Sequence, residues 1–259
     1  ITAPVPGEHY WKISHAFEKD TEENWMWINV DGAKDFTIAE APSVNYPTNT
    51  TTRVNPTFKW APVEGAEGYN LVVLDSISHP SLDATFWTDY CDASMCVYAL
   101  STAELNLVDD SYTWKVRADM GGGDYTDWGD ATFTKVAAPT TKQPSVANTM
   151  PSPKFTWAPA AGQTRYQVQL YTSAGVKKMD RTVDTSICTA TLCTYVPSPA
   201  LTLANGAYKW KVRAGDAVEW GTYSAFKTFS KVNPPAGVSP TGTITASNPT
   251  FKWKKITGV

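Results

Sequence analysis

No stretch of 18 apolar residues occurs in the 259-residue chain, so none of it is expected to cross a bilayer as a helix. Histidine is scarce: His9, His15 and His79 are the whole supply, which leaves little imidazole for metal binding or general-base work. Neither sign of charge forms a run of five, and 22 basic against 25 acidic residues give a net charge of -3. Nucleic acid is therefore not an expected partner. Convincing helical periodicity is missing, and Ile1-Thr-Ala-Pro-Val-Pro has neither the basic nor the apolar region of a signal peptide. Any export signal or anchor is expected outside these residues.

What is present is repetition. Asn55-Pro56-Thr57-Phe58-Lys59-Trp60 returns as Ser152-Pro153-Lys154-Phe155-Thr156-Trp157 and as Asn248-Pro249-Thr250-Phe251-Lys252-Trp253, at offsets of 97 and 96. Tyr112-Thr113-Trp114-Lys115-Val116-Arg117-Ala118 recurs 96 residues on as Tyr208-Lys209-Trp210-Lys211-Val212-Arg213-Ala214, and in degraded form as Tyr10-Trp11-Lys12-Ile13. A unit this long is a domain rather than a solenoid coil. Stretches rich in Pro, Thr, Ser and Asn mark the breaks, giving an incomplete unit 1–41, complete units 42–138 and 139–234, and an incomplete unit 235–259.

Within a unit the signal is alternation. Tyr69, Leu71 and Val73 share one face, as do Tyr166, Val168 and Leu170, and Trp114, Val116 and Ala118 repeat the pattern later. These are period-two strands with one buried side. Ala61-Pro62-Val63-Glu64-Gly65 and Ala158-Pro159-Ala160-Ala161-Gly162 are corners. About seven short strands per unit make an all-β two-sheet sandwich. The interval of 14 residues from Pro42 to Pro56, Pro139 to Pro153 and Pro235 to Pro249 predicts a first edge strand of fixed length.

The four cysteines fall at one phase of the repeat, as Cys91 with Cys96 and Cys188 with Cys193. Zinc would need two more soft or imidazole ligands per pair, and the second complete unit has no histidine. Disulfides are expected over zinc or free thiols, each contributing about 2 kcal/mol by closing a small loop. They imply an oxidising, extracytoplasmic compartment.

The Trp of the second strand followed by Pro, the aromatic opening the third strand (Tyr69, Tyr166), and Leu-x4-Tyr-x-Trp-x-Val-Arg-Ala from Leu107 and Leu203 together resemble fibronectin type III domains of prokaryotic surface proteins. The resemblance covers nearly the whole chain and implies tandem immunoglobulin-like, fibronectin type III-like sandwiches. It also implies that Tyr112 and Tyr208 are tyrosine corners whose hydroxyls bond nearby backbone. The cysteine pair departs from that family's pattern, and no Arg-Gly-Asp motif is present.

The leading 41 residues align with the last two strands of a unit, Trp11 with Trp114 and Phe36 with Phe133, and residues 235–259 with the first two. A strand pair alone buries too little to be stable. Either these residues are a window on a longer array, or the tail of one copy pairs with the head of another.

Candidate sites are few. His15 near Glu18 and Asp20 is the one imidazole beside acids and reads as a solvated loop, so no catalytic residue and no cofactor are assigned. Asp119, Asp124, Asp127 and Asp130 around Gly121-Gly122-Gly123 are weak calcium candidates, without EF-hand spacing. Tyr125, Trp128, Trp220 and Tyr223, with Trp25 and Trp27 in the leading segment, fall in the long loop before the last strand, and Trp87 lies on another edge. They read either as packing and domain contacts or as platforms for sugar rings. Asn49-Thr50-Thr51 is a glycosylation sequon.

The expectation is a non-enzymatic, secreted or cell-surface structural protein, a segment of a stalk, sheath or filament whose partners are neighbouring repeats or copies of itself. The alternatives are an adhesive or carbohydrate-binding module contacting glycans, and the accessory region of a large secreted hydrolase.

Overall fold

The computed structural model describes residues 7–12, 16–19, 25–28, 33–148, 150 and 152–255. Period-two alternation is realised as strands throughout. The leading segment forms β1 (Gly7–Lys12), β2 (Ala16–Lys19), β3 (Trp25–Ile28) and β4 (Ala33–Ile38). β1 pairs antiparallel with β4, His9 opposite Phe36, and β2 with β3, Phe17 opposite Trp27. The alignment predicts two strands here. A further antiparallel pair appears because 25 residues separate Trp11 from Phe36, against 19 between Trp114 and Phe133.

Eight strands make the first complete sandwich: β5 (Val44–Tyr46), β6 (Thr50–Thr51), β7 (Phe58–Trp60), β8 (Gly68–Leu74), β9 (Pro80–Trp87), β10 (Cys96–Tyr98), β11 (Asp110–Asp119) and β12 (Gly129–Lys135). They order as β10-β7-β5 in one sheet and β6-β12-β11-β8-β9 in the other. The second sandwich repeats this with β13 (Thr140–Gln143), β14 (Ala147–Asn148), β15 (Phe155–Ala158), β16 (Arg165–Thr172), β17 (Lys177–Asp184), β18 (Cys193–Tyr195), β19 (Gly206–Gly215), β20 (Trp220–Tyr223) and β21 (Lys227–Lys231). Its sheets order as β13-β15-β18 and β14-β21-β19-β16-β17, with β20 beside β19. β22 (Gly237–Ser239) and β23 (Lys252–Trp253) pair at the end. The chain divides into two compact units, residues 1–48, 57–100 and 112–132, and residues 49–56, 101–111 and 133–259.

The first strand of each sandwich is split, which refines the single edge strand of fixed length predicted above. β5 pairs antiparallel with β7, and β6 then runs parallel to β12 in the other sheet. Pro47 and Pro144 stand at the switch, where a residue without an N–H breaks the first ladder. Each proline carbonyl accepts a buried indole N–H, from Trp114 Nε1 at 2.8 Å and Trp210 Nε1 at 3.0 Å.

Both cores are built on the same rings. Phe58 meets Trp114 at 5.2 Å and Trp60 meets Tyr69 at 5.3 Å; the counterparts are Phe155 with Trp210 at 5.2 Å and Trp157 with Tyr166 at 5.4 Å. Leu71, Val73 and Val116, with Val168, Leu170 and Val212, are fully buried, on the faces the alternation assigns. Burying each such side chain contributes about 1.5–3 kcal/mol. Tyr69 and Tyr166 also hold the proline corners, since their hydroxyls accept the N–H of Val63 and Ala160. Tyr208 donates its hydroxyl to the Ala204 carbonyl at 2.9 Å, the backbone bond of a tyrosine corner.

Cys91 is bonded to Cys96 and Cys188 to Cys193. Each bridge closes a turn that follows a 3-10 segment, Thr88–Tyr90 or Thr185–Ile187. The turn is held by a different side chain in each copy. Asp92 accepts from the N–H groups of Ser94 and Met95, which lowers its pKa; Thr189 Oγ1 accepts from Leu192 N–H.

Candidate functional site

The chemically richest surface is the outer face of the six-stranded sheet in the second sandwich. Side chains pointing away from the core on β19 are Lys209, Lys211 and Arg213, at every second residue. Three rings lie along them at every third residue: Trp220, Tyr223 and Phe226. Those two spacings are brought into step by the backbone. Antiparallel pairing sets Gly215 opposite Trp220 and Arg213 opposite Tyr223, three residues against two. It resumes with Trp210 opposite Lys227, four against three. The first surplus residue is a register shift within the β19–β20 pairing and the second falls in the break between β20 and β21, and each re-aims the side chains that follow it.

The result is an alternating ladder. Arg213 lies 4.9 Å from the Trp220 ring centre and 4.5 Å from that of Tyr223; Lys211 lies 3.9 Å from Tyr223 and 5.1 Å from Phe226; Lys209 lies 5.0 Å from Phe226. Arg165 on β16 covers Trp220 at 4.3 Å. Exposed cation–ring contacts contribute about 0.5–1 kcal/mol each. Gly215 makes room for the first rung, because a Cβ there would come within 2.7 Å of the Trp220 ring.

Beside the ladder a hydrogen-bond network fixes the geometry. Gln167 Oε1 accepts from Arg213 Nε and from the Tyr223 hydroxyl, both at 2.7 Å. Gln167 and Gln169 donate to the two oxygens of Asp180, which also accepts from Lys177 at 2.8 Å, and Tyr171 donates to Gln169. Burial alone would raise the Asp180 pKa, but the bonds from Lys177, Gln167 and Gln169 outweigh it and the carboxyl stays ionised to lower pH. Lys177 is correspondingly raised, chiefly by its bond to Asp180. Lys211 is lowered, first by desolvation and then by the charges of Arg213 and Lys177.

The first sandwich carries the short form. Arg117 lies 4.0 Å from Tyr125 and 4.6 Å from Trp128, and donates to Asn70, which donates to Thr85. Three residues past Trp128 stands Ala131, so no third ring follows.

The loop aromatics of the sequence are thus brought against their own sheets. Trp220 and Tyr223 belong to β20 and are half-buried, which corrects their placement in a loop, while Tyr125 stays 42% exposed. Trp87 is 72% exposed on the edge strand β9. Trp25 and Trp27 lie in β3. His15 and Asp20 lie outside the described residues. The calcium candidates are not gathered: among the described residues no three His, Cys, Asp or Glu side chains converge on a metal position, and Asp119 is taken by the Gly121 N–H. Asn49 is exposed, with Thr51 of its sequon buried and accepting from Arg53 N–H. Phe226 and the cation row were missed in the sequence. Their signal was Lys209-x-Lys211-x-Arg213 followed by rings at a step of three, a match that appears only once interruptions of the strand pairing are allowed.

No protein-family model matches the chain, and no curated protein matches it. Among solved structures it is similar to the FN1-FN3 domains of chicken CNTN1, at 14% identity over 84% of this chain and 76% of that one, with a TM-score of 0.39. It is also similar to a two-domain fibronectin type III segment of chicken tenascin, at 15% identity over 74% and 98%, TM-score 0.30. A third similar structure is the BSP domain of a biofilm associated protein, at 14% identity over 76% and 30%, TM-score 0.27. The assignment of tandem all-β sandwiches rests on the strand orders and repeated cores above.

Proposed function

We propose that this chain is part of a non-enzymatic extracellular structural protein whose sandwiches are strung in tandem to span distance, as in a stalk, sheath or filament. One observation carries this reading. The same sandwich recurs at a step of 96 to 97 residues down to its core rings, its sheet-switching proline and its disulfide. Repetition of a scaffold presents the same faces at a fixed step, so one contact between units is multiplied along the array. The paired disulfides support an oxidising compartment outside the cytoplasm.

Stretching single molecules tests the reading. Under force each sandwich should open separately and release about 30 nm, the extended length of roughly 96 residues at ~3.3 Å each less the folded span. Native material viewed by electron microscopy should show regular thin fibres or stalks. Dispersed monomers in native material, with no repeating force peaks, would reject the spanning role. The adhesive reading is favoured by a separate observation, the ring-and-cation face of the second sandwich.

A further inference from the structure

We propose that the outer sheet face of the second sandwich, along Lys209, Lys211, Arg213, Tyr223 and Phe226, binds an acidic polysaccharide of the uronic-acid class. Lys209, Lys211 and Arg213 stand about 6.6 Å apart along one strand, twice the rise of a β residue. Among the described residues none of the three forms an ion pair. The carboxylates on that face are already engaged, Asp180 by Lys177, Gln167 and Gln169, and Asp184 by the Ser186 N–H. A row of like charges held side by side repels itself, and a polyanion relieves that repulsion.

The rings narrow the class. Phe226 is 46% exposed between Lys209 and Lys211, so an apolar platform and two cations lie within about one sugar's reach of each other. Each residue of a polyuronate carries an apolar C–H face, which stacks on a ring, and a carboxylate for the neighbouring cation. The platform is also preorganised. Gln167 holds Arg213 and Tyr223, and the Phe226 ring is met edge-on by Tyr171 at 5.7 Å, so little side-chain freedom remains to be lost on binding. The first sandwich is the internal control: its matching strand offers Thr113, Lys115 and Arg117, and Ala131 stands where the third ring would be.

The test uses the whole chain against polygalacturonate oligomers, with neutral dextran and duplex DNA as comparison probes, by calorimetry across a salt series. Polygalacturonate should bind and dextran should not. The double variant Lys209→Gln/Lys211→Gln should weaken binding at least tenfold, and the slope of log affinity against log salt should fall by about two, one released counterion per lost charge. Phe226→Ala should weaken binding severalfold with the salt slope unchanged, and Lys115→Gln should have no effect. Thermal melts confirm that each variant remains folded. The proposal is overturned if polygalacturonate fails to bind at low salt, if the double variant binds as the parent does, or if duplex DNA binds as tightly. Each outcome is independent of whether the array spans distance.

Discussion

At the scale of single residues, the two tryptophans of each core look alike in burial and differ in their polar atom. Trp60 and Trp114 are both fully buried, but Trp114 donates to the Pro47 carbonyl whereas Trp60 Nε1 has no partner; Trp210 and Trp157 repeat the contrast. Replacing Trp by Phe removes similar volume at either site. At Trp114 it also strands a buried acceptor, a cost of about 1–3 kcal/mol, while at Trp60 it deletes an unsatisfied donor. Trp114→Phe should therefore destabilise more than Trp60→Phe by about 1–2 kcal/mol in urea melts, and an equal or reversed order would sink the argument. Tyr166 gives a pH-dependent counterpart. Desolvation raises its pKa above the ordinary 10.0, against a smaller lowering by the Ala160 N–H. The fold thus favours the neutral phenol, and that stability is fully present below pH 10 and lost as pH climbs through the raised value. Between pH 9 and 12 the parent should lose stability more steeply than Tyr166→Phe, and parallel curves would remove Tyr166 as the cause.

At the scale of elements, a short covalent clip and two interruptions of strand pairing do the local shaping. Each disulfide spans five positions, and Cys96 and Cys193 are fully buried. Closing so short a loop restricts the unfolded chain little, so Cys188→Ala/Cys193→Ala should cost about 2 kcal/mol and leave the sandwich folded. Complete loss of the near-ultraviolet signal in that variant would mean the clip is indispensable. For the ladder, Gly215→Ala would set a Cβ 2.7 Å from the Trp220 ring and 2.8 Å from the Glu219 carbonyl, so ring and backbone must both shift, seen as a red shift in tryptophan emission together with a lowered melting temperature. These elements also mark how far the sequence alone can be read. Tyr69-x-Leu71-x-Val73 declares a buried face because strand periodicity is local, and the cysteines declare their pairing because both pairs sit at one phase of the repeat. The ladder is not local. Its cations step by two, its rings by three, and only the register shift between Arg213 and Gly215 and the break between β20 and β21 place both on one face. The split of the first strand at Pro47 was hidden likewise, since one uninterrupted 14-residue interval contains strands that join two different sheets.

At the scale of the whole molecule, identical residues take values set by how much sandwich surrounds them. The motif that buries Phe58 and Trp60 completely, and Phe155 and Trp157 likewise, leaves Phe251 67% and Trp253 65% exposed on β23. Deep in a core, truncating a tryptophan to alanine removes its transfer free energy and leaves a cavity, about 3–5 kcal/mol. On β23 the same truncation removes a ring that is mostly in water already. Trp157→Ala should therefore cost several kcal/mol in this chain, while Trp253→Ala should stay within about 0.5 kcal/mol, as for ordinary surface sites. In any assembly that finishes a third sandwich around β23, by further chain or by strands of another copy, Trp253→Ala should rise to the cost of Trp157→Ala. Trp253 emission should then move to the blue and escape acrylamide quenching. Measuring both substitutions in native fibres and in the 259-residue chain separates the two states, and equal costs in both settings would refute completion of a third sandwich.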